Sequence, residues 1–237
     1  MRSSAAGLSL AGPIVATIFV RRVIPAYLAD VELLLVRHAL PRRVEVDAGS
    51  ADPGLTEVGL EQANRLADYL DGEQIDAVCA SPLRRAFQTV APVAARRGRD
   101  VVTVDGVAEW DRDSSAYVPV EELRAEGDGR FADITRHAWA DLALIVPFRD
   151  RVVAAVDAIV AAHPGGRVVV GCHAGVINVY LGEVLGLPID RRGFHYPNYT
   201  SIARVAASRS GVRTIVTVNE TAHLRDTGLL HGLIQRS

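Results

Sequence analysis

From Val31 to Val218, short uninterrupted apolar runs alternate with longer stretches of helical periodicity. The strand candidates are Val31–Val36, Ile75–Ala80, Val101–Val104, Val168–Cys172, Ser201–Val205 and Thr214–Val218. Several are apolar at every position, which suits strands buried on both faces of a sheet. Between them, Thr56 is an N-cap for a helix over Glu57–Leu70, with Leu60, Ala63, Leu66, Ala67 and Leu70 on one face. Ser81 and Pro82 read as an N-cap and a first-turn proline, opening a helix to about Arg97. A third helix runs from Val146 to Ala162 and stops at His163-Pro164-Gly165-Gly166. A fourth spans Gly175 to Leu185, with Gly186 as its cap. This alternation predicts a three-layer α/β/α sandwich around a mostly parallel sheet.

The rhythm breaks between about Ala108 and Leu144, where Trp110, Tyr117 and Trp139 sit among many charges without long apolar runs. This span is expected to be an insertion that covers the carboxyl edge of the sheet. The 237 residues suit one domain over residues 30–237, preceded by an extension over 1–29 that stands outside the core. Ala5–Val20 is apolar and follows Arg2, like a secretory signal. Pro13 interrupts it, Arg21-Arg22 follows at once, and no small-x-small site precedes Asp30. The run is also short for a membrane span of roughly 20 residues. A targeting segment, an ordered extension and an early start remain alternatives.

Hydrophobic residues make up 49% and charged residues 23%, so a core is well supplied. A net charge of −2 gives no reason to expect nucleic acid or an anionic membrane as partner. All 26 basic residues are Arg, so any cation that holds an anion here must be Arg or His. Cys79 and Cys172 end apolar runs and are expected to be buried free thiols, compatible with a reducing, cytoplasmic location. The sequence leaves the oligomeric state open.

Four segments end strands in chemically capable residues. Arg37-His38 follows the first strand, and Ser81-Pro82-Leu83-Arg84-Arg85-Ala86 follows the second. Glu109 follows the third, and His173-Ala174-Gly175 follows the fourth. In open α/β sheets the carboxyl edge is where ligands bind. Arg presents a planar fork suited to phosphate, and imidazole can act as nucleophile or base near neutral pH. Two His, one or two Arg and a Glu at one edge suit phosphoryl transfer: cations hold the oxygens, imidazole attacks phosphorus, and a carboxylic acid protonates the leaving oxygen. Arg84 is expected to face solvent. Arg42, His195 and Asn198 are candidates for the pocket rim.

Val36-Arg37-His38-Ala39, Leu55-Thr56-x-x-Gly59-x-x-Gln62-Ala63, Ser81-Pro82-Leu83-x-Arg85-Ala86-x-Gln88-Thr89, the Glu109 segment and His173-Ala174-Gly175 occur in the order of the histidine phosphatase superfamily. The chain resembles that superfamily, also called phosphoglycerate mutase-like, over about Val31 to Val218. The resemblance implies its fold, with His38 as the residue that forms a phosphohistidine. Arg37, Arg85 and His173 would bind the phosphoryl group, Glu109 would be the general acid, and neither metal nor other cofactor would be required. The chain departs from familiar members in Ala39-Leu40-Pro41 after the first His and Ala174-Gly175 after the second. Pro41-Arg42-Arg43 stands where the mutase branch carries Trp-Asn, which favours a phosphatase. The expected activity is a metal-independent phosphomonoesterase acting on a small-molecule phosphate ester. A mutase-type phosphotransferase and a non-catalytic phospho-ligand binding protein are the alternatives.

Overall fold

The computed structural model describes residues 30–132, 141–230 and 232. The N-terminal extension over residues 1–29 and Trp139 lie outside them. A six-stranded sheet is formed by β1 (Val31–Arg37), β3 (Ala77–Ala80), β4 (Val101–Thr103), β6 (Arg167–Cys172), β7 (Ile202–Ala207) and β8 (Arg213–Glu220), in the order β4-β3-β6-β1-β7-β8. β4, β3, β6 and β1 pair in parallel, while β7 and β8 join antiparallel. The helices are α1 (Glu57–Tyr69), α2 (Arg84–Ala95), α3 (Val120–Glu126), α4 (Leu142–Ala162) and α5 (Ala174–Val184). Two-residue strands β2 (Val44–Glu45) and β5 (Ala116–Tyr117) make a separate ribbon.

β1 divides the core, because successive side chains of a strand point to opposite faces. Val31, Leu33 and Leu35 pack against Phe148, Val152 and Val156 of α4 and Val176, Val179 and Tyr180 of α5. Leu34 and Val36 join Leu66 and Ala67 of α1 and Val90, Val93 and Ala94 of α2. Helices therefore cover both faces of a mostly parallel sheet, as the alternation predicts. The close approach of α2 depends on Gly171 in β6. A Cβ there would lie 2.8 Å from Val90 Cγ1 and 2.9 Å from the Ala86 carbonyl.

Several boundaries differ for local reasons. Ser81 is not the cap of α2; the helix begins at Arg84, with Leu83 at the cap position. The Ser81 hydroxyl is already engaged, accepting from Leu83 N at 3.2 Å and pairing with His173. Asp52 Oδ1 instead accepts from Arg84 N at 2.9 Å, a carboxylate at the positive end of the helix. α4 begins a turn before Val146, because Asp141 Oδ1 accepts from Ala143 N at 3.0 Å. Leu60 faces outward rather than into the core. Thr56 caps α1 as expected, its Oγ1 accepting from Gly59 N at 2.9 Å. Both cysteines are buried thiols without a disulfide. Among the described residues no helix is long and apolar enough to cross a membrane.

Candidate active site

The register of β1 on β6 sets the centre of the site. Val36 pairs with Gly171 and Arg37 with Cys172, so the next residue of each strand is a histidine. His38 N donates to the Cys172 carbonyl at 2.9 Å, and the two imidazoles lie 5.3 Å apart between centroids. β3 ends alongside, Ala80 opposite Gly171, which carries Ser81 beside the histidines and Arg85 into the first turn of α2. Arg37, His38, Arg85, Glu109 and His173 are all buried. Arg84 is exposed, as expected.

His38 Nδ1 lies 2.8 Å from the Ala39 carbonyl oxygen. A carbonyl only accepts, so Nδ1 carries the proton, and in the neutral ring Nε2 holds the lone pair. Burial, with the Arg85 and Arg37 charges, holds the imidazole well below its usual pKa. The ring is thereby held neutral, with its orientation fixed. Ala39 N in turn donates to Thr89 Oγ1 at 2.8 Å, and Thr89 Oγ1 donates to the Arg85 carbonyl at 2.7 Å, tying the His38 loop to α2. His173 Nε2 lies 2.8 Å from Ser81 Oγ, and its Nδ1 is buried without a partner. Burial, Arg85, His38 and Arg37 likewise hold its pKa well down.

Arg37 is gripped from several sides. Its Nη1 donates to the Pro197 carbonyl at 2.7 Å, and its guanidinium lies 4.1 Å from the Tyr199 ring centroid and 4.9 Å from that of Tyr196. Both tyrosine hydroxyls donate to Glu121 of α3, Tyr196 at 2.6 Å and Tyr199 at 2.7 Å. The guanidinium of Arg85 stacks 4.5 Å from the Tyr117 ring and lies 3.5 Å from Asp111 Oδ1. The Nε atoms of both arginines are buried without a hydrogen-bond partner. Unspent buried donors are costly unless a ligand takes them.

Glu109 approaches from the segment after β4. Its Oε2 accepts from Gly175 N at 2.9 Å and its Oε1 from Trp110 N at 3.2 Å. Gly175 leaves the room, since a Cβ there would lie 2.3 Å from Glu109 Oε1. Burial and the neighbouring Asp111 charge push the Glu109 carboxyl up to about 7. It is therefore a carboxyl that can hold a proton near neutral pH.

Arg37, His38, Arg85 and Glu109 line a cavity of about 920 Å³. His173 is fully buried beside His38, and the next two residues, Ala174 and Gly175, line the cavity. His195 reaches the wall, its ring Nδ1 3.1 Å from Asn178 Oδ1. Arg42 and Asn198 are not brought there. Arg42 is exposed, its Nε donating to the Leu55 carbonyl at 3.2 Å, and Asn198 is tied through its backbone to Asn219 Oδ1 at 2.7 Å. Asn178 stands on the cavity instead of Asn198. Sequence reasoning did not single out Glu121, Tyr196 or Tyr199 as neighbours of Arg37. A half-buried acid bonded to two tyrosines leaves no local pattern, because its partners are 75 and 78 residues away.

A family model described as the histidine phosphatase superfamily (branch 1) matches residues 33–221. The chain belongs to the histidine phosphatase superfamily. Among its relatives, phosphoserine phosphatase 1 of Hydrogenobacter thermophilus is 36% identical over 95 residues, 39% of this chain and 45% of that protein. A bifunctional protein of Mycobacterium tuberculosis is 30% identical over 81% of this chain and 54% of its own length. These matches span about half the length of the two relatives. Phosphoglycerate mutase-like protein 4 of Arabidopsis thaliana is 29% identical over 84% of this chain and 89% of that protein. Among solved structures, the phosphoserine phosphatase of Entamoeba histolytica superposes with a TM-score of 0.64 at 21% identity, over 82% of this chain and 99% of that one. Mycobacterial glucosyl-3-phosphoglycerate phosphatase gives 0.61 at 21%, over 80% and 98%. Both structures share the superfamily fold with this chain.

Proposed function

We propose that this histidine phosphatase superfamily member hydrolyses a small-molecule phosphate monoester through a phosphohistidine on His38, with no metal ion required. One observation carries this reading. His38 is held neutral, with Nδ1–H fixed on the Ala39 carbonyl and Nε2 left as the lone pair, between two buried arginines with unspent donors. Arg37, Arg85 and His173 bind the three phosphoryl oxygens. In this reading the Ser81 hydroxyl donates to His173 Nε2, which leaves the proton on Nδ1, a buried atom without a protein partner and so free to donate to a phosphoryl oxygen. His38 Nε2 attacks phosphorus as the P–O bond to the alcohol breaks. Glu109 supplies the proton to the departing oxygen and becomes a carboxylate. The positive charge on the phosphorylated imidazole is shared with the Ala39 carbonyl. Water then attacks phosphorus, Glu109 takes its proton, the P–N bond breaks, and phosphate leaves. The cytoplasm is the proposed location, in keeping with two unpaired thiols.

Glu109→Gln separates acid catalysis from binding. An alkoxide is a poor leaving group, so loss of the acid is expected to slow phosphorylation by an alkyl phosphate by roughly 10²–10⁴-fold. p-Nitrophenolate leaves unaided, so p-nitrophenyl phosphate is expected to lose far less. Single-turnover kinetics isolate that step. Equal losses on both esters would remove Glu109 from the acid role and turn attention to Asp111.

A further inference from the structure

Beyond the phosphoryl end, the cavity is walled by Tyr117, Val118, Val120, Leu123, Leu144 and Phe194. These side chains come from β5, α3, the first turn of α4 and the loop before β7, so three separate stretches of chain converge to build one apolar surface. Leu144 and Phe194 are 40% and 41% exposed, the Phe194 ring centroid lying 4.9 Å from that of His195, so among the described residues both are large apolar groups that are only partly covered. Such a surface, continuous with a polar site, is a place for an apolar ligand group. Tyr117 provides the continuity: its ring contacts Arg85 at 4.5 Å and His38 at 6.3 Å, and it stands on the same cavity wall as Val118.

The charges in the cavity point the same way. Arg37 and Arg85 are used at the phosphoryl end. The other cation among the described cavity residues, Arg130, is held by Asp128, with Nη2 at 2.8 Å and Nε at 3.1 Å. Asp111 and Asp113 also face the cavity. Among the described residues, a carboxylate or second phosphate on the alcohol portion would meet two acids and no unengaged arginine beyond the phosphoryl end. An apolar chain or ring would find Val118, Val120, Leu123, Leu144 and Phe194 on the same wall.

We infer that the alcohol portion of the substrate is apolar, an alkyl or aryl group of several carbons, rather than the short carboxylate-bearing alcohol of phosphoserine or 3-phosphoglycerate. This rests on the proposed phosphatase reaction. It is tested by kcat/KM for unbranched alkyl phosphates from ethyl to hexyl, whose leaving groups differ little in basicity. Full burial of one methylene corresponds to about a fourfold gain. With walls that are partly open, a rise of roughly tenfold or more from ethyl to hexyl is expected, and hexyl phosphate is expected to exceed phosphoserine and 3-phosphoglycerate. Leu144→Ala and Phe194→Ala should lower the hexyl-to-ethyl ratio. That ratio is internal to each variant, so any loss of folded enzyme cancels. A flat or falling series, or a preference for either carboxylate-bearing ester, overturns the apolar assignment while leaving the phosphatase reaction standing. Absence of turnover on every ester overturns both.

Discussion

At the scale of single residues, the site is a set of ionisation states fixed by burial. His38 and His173 are kept neutral by desolvation and by two arginines, while desolvation and Asp111 push the Glu109 carboxyl up to about 7. The consequence for stability has a definite sign. Glu109 carries a pKa of about 7 in the folded chain against an ordinary value of 4.5, so between these pH values the native state binds more protons than the unfolded state. Wild type should therefore lose stability relative to Glu109→Gln as pH rises from 4.5 to 7, by at most about 1.4 kcal/mol per pH unit. Below that window the difference should level off. Denaturant titrations of both proteins across this range check it. A pH-independent difference would mean that Glu109 ionises as an ordinary exposed acid. His38, Arg85 and His173 were legible from sequence because an apolar run gives way there to Arg-His, Ser-Pro-Leu-x-Arg or His-Ala-Gly, whereas Glu109 lies past a short 3₁₀ turn after β4 and has no such local pattern. Arg42 and Asn198 were misplaced because loop residues carry no periodicity that says which way they turn.

At the scale of elements, strand register does most of the positioning, and two close approaches do the rest. Gly171 lets α2 settle on β6, which brings Arg85 to the histidines, and Gly175 lets Glu109 reach the start of α5. Gly175 does not need a left-handed backbone; it needs the absence of a side chain. Gly175→Ala should therefore fold well, since Ala is favoured over Gly within a helix by up to about 1 kcal/mol. Its methyl group should displace the Glu109 carboxyl and reduce alkyl phosphate turnover by roughly 10²-fold or more, with p-nitrophenyl phosphate less affected. Thermal unfolding beside kinetics on the two esters checks this. Unchanged alkyl turnover would show that Glu109 need not sit on Gly175 N. Strand centres were read correctly because continuous apolar runs leave no choice of face. Helix starts were read less well: α2 lost Ser81 as its cap to His173, a contact made across 92 residues. α3 and β5 were hidden in the charged, aperiodic stretch after Ala108, and β2 in the loop after β1; the two strands of the ribbon meet only through the fold.

At the scale of the whole molecule, the sheet acts as a rigid frame whose carboxyl edge collects four chain segments. Glu121 then ties the segment between β4 and α4 to the tyrosines that flank Arg37. In the proposed reaction the positive field at the phosphoryl group comes from Arg37 and Arg85, so activity is expected to persist in excess EDTA. Loss on chelation with recovery on adding a divalent ion would point to metal-assisted hydrolysis. Fold class and family pattern were legible because they depend on order and periodicity along the chain. The shape of the cavity was not, because Val118, Leu123, Leu144 and Phe194 meet there only through the fold. The central claim is that phosphorus becomes bonded to His38. It is tested by rapid quenching of the wild-type protein with a ³²P-labelled phosphate ester, followed by mapping of the labelled peptide. The expected result is an acid-labile, base-stable label on His38 that is absent from His38→Ala, with turnover lost in that variant. An acid-stable label elsewhere, or near-normal turnover in His38→Ala, would contradict it.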